Sequence, residues 1–269
     1  MKISLIVPTM GTRIKELSRL FNSLQKQTNQ DFEVIVASQE NHEKVQECIL
    51  SFQHLSITHI KLNKKGLSYA RNKAIPYVNG EIITFSDDDC WYPENMVEKV
   101  QSYFLQNHAD ILTGKIFDPD KNEYYKNYPE IDQKNIKISN ILRKSSIEIF
   151  INLQKVSKEV IKFDEQFGLG AKYGGGEEII LLMDLHKKGF KIDYLNTTLV
   201  FHRVKEKQEF LLSDNIMEIK GALFRRNFNY LVAMLLGFAF YFKKIKYING
   251  KTNGIILLFK GLNYNEHKK

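Results

Sequence analysis

Apolar and polar positions alternate in short blocks along the first hundred residues, and the period changes from block to block. Residues 2–7 form a nearly continuous apolar run that meets a proline at residue 8, as a buried strand does. The next block places Ile14, Leu17, Leu20, Phe21 and Leu24 at helical spacing, which predicts a helix over 13–27 with Thr12 as its cap. The pattern then repeats with strands over 31–37, 56–62 and 81–85 and helices over 43–52 and 66–74. Strands alternating with helices of this length predict βαβ units, hence an α/β fold with a mainly parallel sheet. Ligands of such sheets gather beyond the carboxyl ends of the strands. Pro8-Thr9, Ser38-Gln39 and the acidic run after residue 85 fall at such ends, so they are expected to converge.

The second half is less regular. A helix is predicted from Pro93 to about residue 106, then a strand over 110–117. Residues 118–145 are rich in Asn, Lys, Asp and Tyr, with little periodicity, and a polar loop of that length is usually functional or mobile. A strand over 147–153 leads to a stretch holding Gly168, Gly170, Gly174, Gly175 and Gly176, which implies backbone bending closely around something. A helix over 177–188 and short strands over 191–194 and 198–202 follow.

The chemistry concentrates at Asp87, Asp88 and Asp89, three adjacent carboxylates at a strand end. Like charges repel there unless something positive joins them. A hard divalent cation suits such oxygen ligands, and Mg²⁺ commonly brings phosphate oxygens with it. The plainer reading is a solvated acidic turn ahead of a helix.

Charge sets the tail apart. Residues 203–269 hold thirteen Lys and Arg against five Asp and Glu, so they carry the whole formal excess of +8 and leave the body neutral. A neutral body without a reader motif argues against nucleic-acid binding. Residues 227–242 lack any charge, are dense in Leu, Phe and Tyr, and lie between Arg225-Arg226 and Lys243-Lys244. This run is short of the ~20 residues that span a bilayer. It fits an in-plane membrane helix or, alternatively, an ordinary packing helix. The expected division is a catalytic domain over 1–204 and a helical extension over 205–269 that either associates with a membrane or packs internally. Cys48 and Cys90 form no disulfide framework and no metal spacing, and the first residues do not read as a signal peptide. A cytoplasmic protein, peripheral at the inner face of the membrane, is expected.

Five segments in order resemble the family 2 glycosyltransferases, inverting enzymes with the GT-A fold. They are Ser4-Leu-Ile-Val-Pro-Thr9, Gly66-Leu-Ser-Tyr-Ala-Arg-Asn72, Phe85-Ser-Asp-Asp-Asp-Cys-Trp-Tyr-Pro93, Gly174-Gly-Gly-Glu-Glu178 and Val200-Phe-His202. The resemblance covers residues 1 to about 204. It implies a nucleotide-diphosphate sugar donor, a glycan or lipid-linked acceptor in surface polysaccharide synthesis, and Mn²⁺ or Mg²⁺ as cofactor. Asp89 is the first metal ligand implied, with Asp87 on the metal, the ribose or the donor sugar, and Asp88 on the donor nucleotide. Pro8, Thr9, Arg13, Gln39, Gly66, Arg71 and Asn72 are implied around the donor nucleotide. Arg71 suits a diphosphate as a fork of donors or forms a surface ion pair, and Asn72 bonds a base or caps a turn. His202 completes the metal site or ends a strand. The resemblance puts the catalytic base at Glu178, with Glu177 as the neighbouring alternative, since glutamate stands where the family motif has aspartate.

One departure concerns Gln39, which follows Ala37-Ser38 where many members carry an acid. Its amide still meets a pyrimidine edge, but uridine-, deoxythymidine- and guanosine-linked donors all remain open. Two further readings compete. A sugar nucleotidyltransferase would need a glycine- and lysine- or arginine-rich loop, of which residues 8–13 are a poor version. A catalytically silent glycan- or membrane-binding module would have no use for intact carboxylates at both positions.

Overall fold

A computed structural model describes residues 1–204, 215–248 and 251–265. The predicted alternation is present from the first residue. It runs β1 (Ile3–Thr9), α1 (Ile14–Gln25), β2 (Phe32–Ser38), α2 (His42–Leu50), β3 (Ile57–Lys61), α3 (Leu67–Ala74) and β4 (Ile82–Phe85). β1 and β2 are buried along their whole length, which is why their sequences are mostly apolar rather than alternating, with Ser4 and Glu33 hydrogen-bonded to each other inside. The helix predicted from Pro93 begins three residues later, as α4 (Met96–Gln106). β5 (Ile111–Asp118) follows, and the polar segment after it supplies a two-residue β6 (Glu123–Tyr124) and one helical turn, α5 (Ile138–Ile141). Then come β7 (Ile149–Asn152), α6 (Glu177–Lys187) and β8 (Ile192–Phe201).

The eight strands form one sheet in the order β3-β2-β1-β4-β7-β5-β6, with β8 paired to β5. β3, β2, β1 and β4 are mutually parallel, and β8 runs parallel to β5. β7 is antiparallel to both β4 and β5, so the sheet is mixed with parallel pairings in the majority. The two short strands expected over 191–202 are one strand whose register shifts between Thr113 and Ile116 of its partner. That irregularity hid its continuity. Thr12 does not cap α1: Arg13 holds the cap position without a side-chain bond, and Thr12 faces the cavity described below.

Beyond residue 214 lie α7 (Ile216–Asn227), α8 (Tyr230–Lys244) and α9 (Lys251–Leu262). The expected boundary at 204/205 falls at the edge of residues 205–214, which lie outside the described residues. α7 packs on α6, and Ala222, Leu223 and Tyr264 share a core with Phe167, Ile180 and Leu181. Arg226 bonds Asp164 at 3.2 Å and Asp184 at 2.9 Å, and the Tyr264 hydroxyl donates to Asp164 at 3.2 Å. These helices therefore rest on the glycine-rich stretch and on the helix that follows it.

Candidate active site

The carboxyl ends of β1, β2 and β4 meet at a cavity of about 540 Å³. Pro8, Thr9, Arg13, Gln39, Gly66, Asp87, Asp88, Asp89 and His202 all line it, so nine of the residues picked from the sequence share one space. The three aspartates do not act alike, because each meets different partners.

Asp88 is nearly buried. It accepts a 2.6 Å bond from the Thr9 hydroxyl and an ion pair from Arg13 at 2.8 Å. Burial still prevails and pushes its carboxyl up to about 6. Thr9 in turn accepts from the Gly11 amide at 3.0 Å, which locks the turn after β1 to the acidic run. Asp89 receives Arg13 and lies 3.3 Å from Nε2 of His202. Burial pushes Asp89 up, but its His202 and Arg13 partners outweigh that and hold it below the ordinary value. Asp87 faces inward to Arg71 at 3.0 Å, yet burial leaves its carboxyl raised. Arg19, unnoticed in the sequence, braces the turn by donating to the Asp89 carbonyl at 2.7 Å and stacking 3.7 Å over Trp91.

Asp89 and His202 fit a divalent cation. The His202 Nδ1 lies 2.8 Å from the Arg203 carbonyl, which can only accept, so Nδ1 carries the proton and Nε2 is left facing Asp89. Cys90 lies close enough to both to join them, but burial raises its thiol well above the ordinary value. A thiol is moreover a soft ligand that hard cations disfavour, so the residues that would hold such a cation are the Asp89 carboxylate and the His202 imidazole.

Four predicted residues do not line the cavity. Arg71 is fully buried and forks between Asp87, Glu177 at 3.0 Å and the Ser146 hydroxyl at 2.8 Å. It braces the acidic run against α6, so of its two expected roles its bonds match the ion pair, which is buried rather than at the surface. Asn72 is likewise spent elsewhere: its amide both accepts from and donates to the Phe163 backbone, at 2.8 and 2.9 Å. The turn-holding alternative for Asn72 is the one its bonds match.

Glu177 is buried and held by Arg71. Glu178 is half-buried, and burial first, then the Glu177 charge, raises its carboxyl to about 8. The positive charge of Lys220 on α7 opposes that rise. Of the cavity residues that sequence reasoning did not pick, Tyr125 and Leu169 bear most on the site. Tyr125 stands edge-on to His202 at 5.3 Å, and burial with the charges of Asp87, Asp89 and Glu178 raises its phenol. Leu169 accepts at its carbonyl from the Leu67 amide at 2.9 Å and so brings the glycine-rich stretch over the start of α3. Tyr125 lies in the aperiodic 118–145 segment, where only the length of the loop was a signal.

The model of Glycosyl transferase family 2 matches residues 4–162. Glycosyltransferase GlyA of Streptococcus pneumoniae is 25% identical over 218 residues, covering 76% of this chain and 31% of that protein. The Escherichia coli protein WfgD, named UDP-Glc:alpha-D-GlcNAc-diphosphoundecaprenol beta-1,3-glucosyltransferase, is 29% identical over 116 residues, covering 42% of this chain and 44% of its own length. The chain thus spans less than half of these relatives. Staphylococcus aureus TarS 1-349 superposes with a TM-score of 0.66 over 98% of this chain and 71% of that one, at 19% identity, and has been solved with UDP and with UDP-GlcNAc. This likeness establishes the GT-A-like architecture. With the family model matching more than half of its length, the chain belongs to glycosyl transferase family 2.

Proposed function

We propose that the protein is a metal-dependent inverting glycosyltransferase that moves a sugar from a nucleotide diphosphate to a glycan or lipid-linked acceptor in surface polysaccharide synthesis. The observation that carries this reading is the convergence of Thr9, Arg13, Gln39, the three aspartates and His202 on one cavity in a chain of this family. WfgD, by its name, uses a diphosphoundecaprenol-linked acceptor, which favours a lipid-linked acceptor here.

In this reading Gln39 holds the base and Arg13 reaches the diphosphate. The Gln39 side-chain oxygen accepts from the Gly66 amide at 2.6 Å, so its NH₂ group is the end left for a base. Asp89 and His202 would hold the divalent cation, which when bound would offset charge on the leaving diphosphate. Glu178 takes the proton of the acceptor hydroxyl as its oxygen bonds the anomeric carbon and the bond to the diphosphate oxygen breaks. Glu177, neutralised by Arg71, keeps Glu178 placed.

The C-terminal helices support a peripheral position at the inner face of a membrane. α8 buries Ala233, Gly237 and Tyr241, while Leu231, Leu235 and Phe242 on its opposite face are about two-thirds exposed. A helix apolar on both faces needs an apolar partner on the second. Lys243 and Lys244 at its end favour an anionic lipid surface. Among the described residues no helix is long and apolar enough to cross a membrane.

The test is thermal stabilisation by a panel of nucleotide diphosphates, with and without Mn²⁺. A shift with one nucleotide that needs metal and disappears in Asp89→Ala is the expected result. No shift with any nucleotide would overturn the reading.

A further inference from the structure

The segment over 118–145 serves two cavities. Tyr125 lines the donor cavity, and the next residues, from Lys126 to Pro129, line a second one of about 210 Å³. On its other side stand Asn140, Arg143 and Lys144, and two residues further along the chain Ser146 holds Arg71. The second cavity is thus tied to the active site along two stretches of chain. Its volume lies below the ~300 Å³ at which drug-sized pockets begin, so it suits one small group.

Its lining is cationic and aromatic. Lys144 is 7% exposed, with its ammonium 3.5 Å from Glu148 and 4.6 Å from the Tyr194 ring centre. Glu148, fully buried, must also serve Lys126 at 2.6 Å. One carboxylate therefore faces two lysines, and Arg143 adds a third cation at the rim. Burying an ammonium with half a partner is costly, and an anion entering the cavity offsets that cost. Burial lowers the Lys144 pKa although Glu148 opposes it. The Tyr128 and Tyr194 rings lie parallel within 5°, and the Gln133 and Asn140 amides sit beside them. Flat rings, amides and unmatched positive charge together suit a sugar bearing an anionic oxygen group.

We propose that this second cavity binds an anionic group, a carboxylate or a phosphate, on the acceptor. The assignment to an acceptor rests on the glycosyl-transfer reading above. The experiment is calorimetric titration of the full chain with glucuronate, with inorganic phosphate, and with glucose as neutral control, repeated on Arg143→Ala and Lys144→Gln. Saturable binding of an anion but not of glucose is expected, weakened about tenfold or more in each variant, with stabilisation by nucleotide diphosphates unchanged. Tighter binding of glucuronate assigns an acidic sugar, and tighter binding of phosphate assigns a phosphorylated acceptor. Lys144→Gln strips Glu148 of a partner and is the variant at risk of unfolding, whereas Arg143→Ala changes an exposed side chain and carries the test alone in that case. No saturable anion binding, equal binding of glucose, or unweakened binding in Arg143→Ala would overturn the proposal. If nucleotides stabilise the protein and anions do not bind, this inference fails by itself. If anions bind and no nucleotide stabilises, the transferase reading fails and takes the acceptor assignment with it.

Discussion

Glu177 and Glu178 are adjacent, chemically identical and oppositely placed. Arg71 holds Glu177 as a buried carboxylate, and burial next to that charge favours the neutral form of Glu178. A base must be free to change its protonation, and on that ground we propose Glu178 rather than Glu177 as the base. Glu178→Gln is expected to lower kcat by about 10² to 10⁴ while nucleotide-dependent stabilisation persists. The raised carboxyl also predicts opposed pH trends. Between its ordinary value of 4.5 and about 8 the folded chain holds a proton there that the unfolded chain releases. Stability contributed by this group therefore falls as pH rises through that window, while kcat/KM rises about tenfold per unit. Paired melting and rate profiles check both slopes, and Glu178→Gln should flatten the group's share of the first. Arg71 and Asn72 carry a different lesson at this scale. Their motif was legible, but which partner each side chain meets depends on segments some 75 to 106 residues away, which no local pattern encodes. Replacing Arg71 with Met strands Glu177 as a buried, unpaired acid and takes a partner from the half-buried Asp87. A loss of about 3–5 kcal/mol is expected by denaturant unfolding.

The elements that could be read from the sequence were those whose periodicity is set by two-sided burial or by one apolar helix face. β1, β2 and α1 through α3 fall within a few residues of expectation for that reason. β8 was divided because its register shift breaks the alternation, and α4 was started early because Pro93-Glu94 imitates a first helical turn. Site residues followed the same rule: strand ends beside turn residues were visible, whereas Tyr125 lay in a segment without period. The glycine-rich stretch combines both cases. Its glycines announced close packing, but not against what. Gly176 has φ +93° and caps α6, and a Cβ there would stand 3.0 Å from Leu223 of α7. Gly176→Ala should cost about 1–2 kcal/mol from the left-handed backbone alone. It should also displace the first turn of α6, so kcat is expected to fall with the melting temperature while nucleotide-dependent stabilisation remains. Retained kcat in a destabilised variant would separate the loop from the chemistry.

At the level of the whole molecule, the tail's positive excess and its apolar density are sorted among different surfaces. Arg226, one of the basic residues before the uncharged run, is bound to Asp164 and Asp184, so it anchors the helices to the catalytic body. Lys243 and Lys244 remain at the far end of α8, on the helix that exposes Leu231, Leu235 and Phe242. Positions 231, 235 and 242 fall on one side of an α-helix by their spacing of four and seven residues. Ile256 on α9 adds a further side chain of similar exposure. Because this face is opposite to the packed one, it can be altered without touching the contacts that hold α8 to its neighbours. Leu231→Asp with Leu235→Asp should therefore leave melting and nucleotide-dependent stabilisation close to wild type while abolishing co-sedimentation with vesicles containing anionic lipid. Each buried leucine contributes roughly 1.5–3 kcal/mol of apolar transfer, so losing two predicts at least about a hundredfold weaker partition. Binding of wild type to anionic vesicles should weaken as salt rises, since the lysine contribution is screened. A wild-type chain that ignores vesicles but loses self-association in the double variant would assign the face to a second copy of the chain instead.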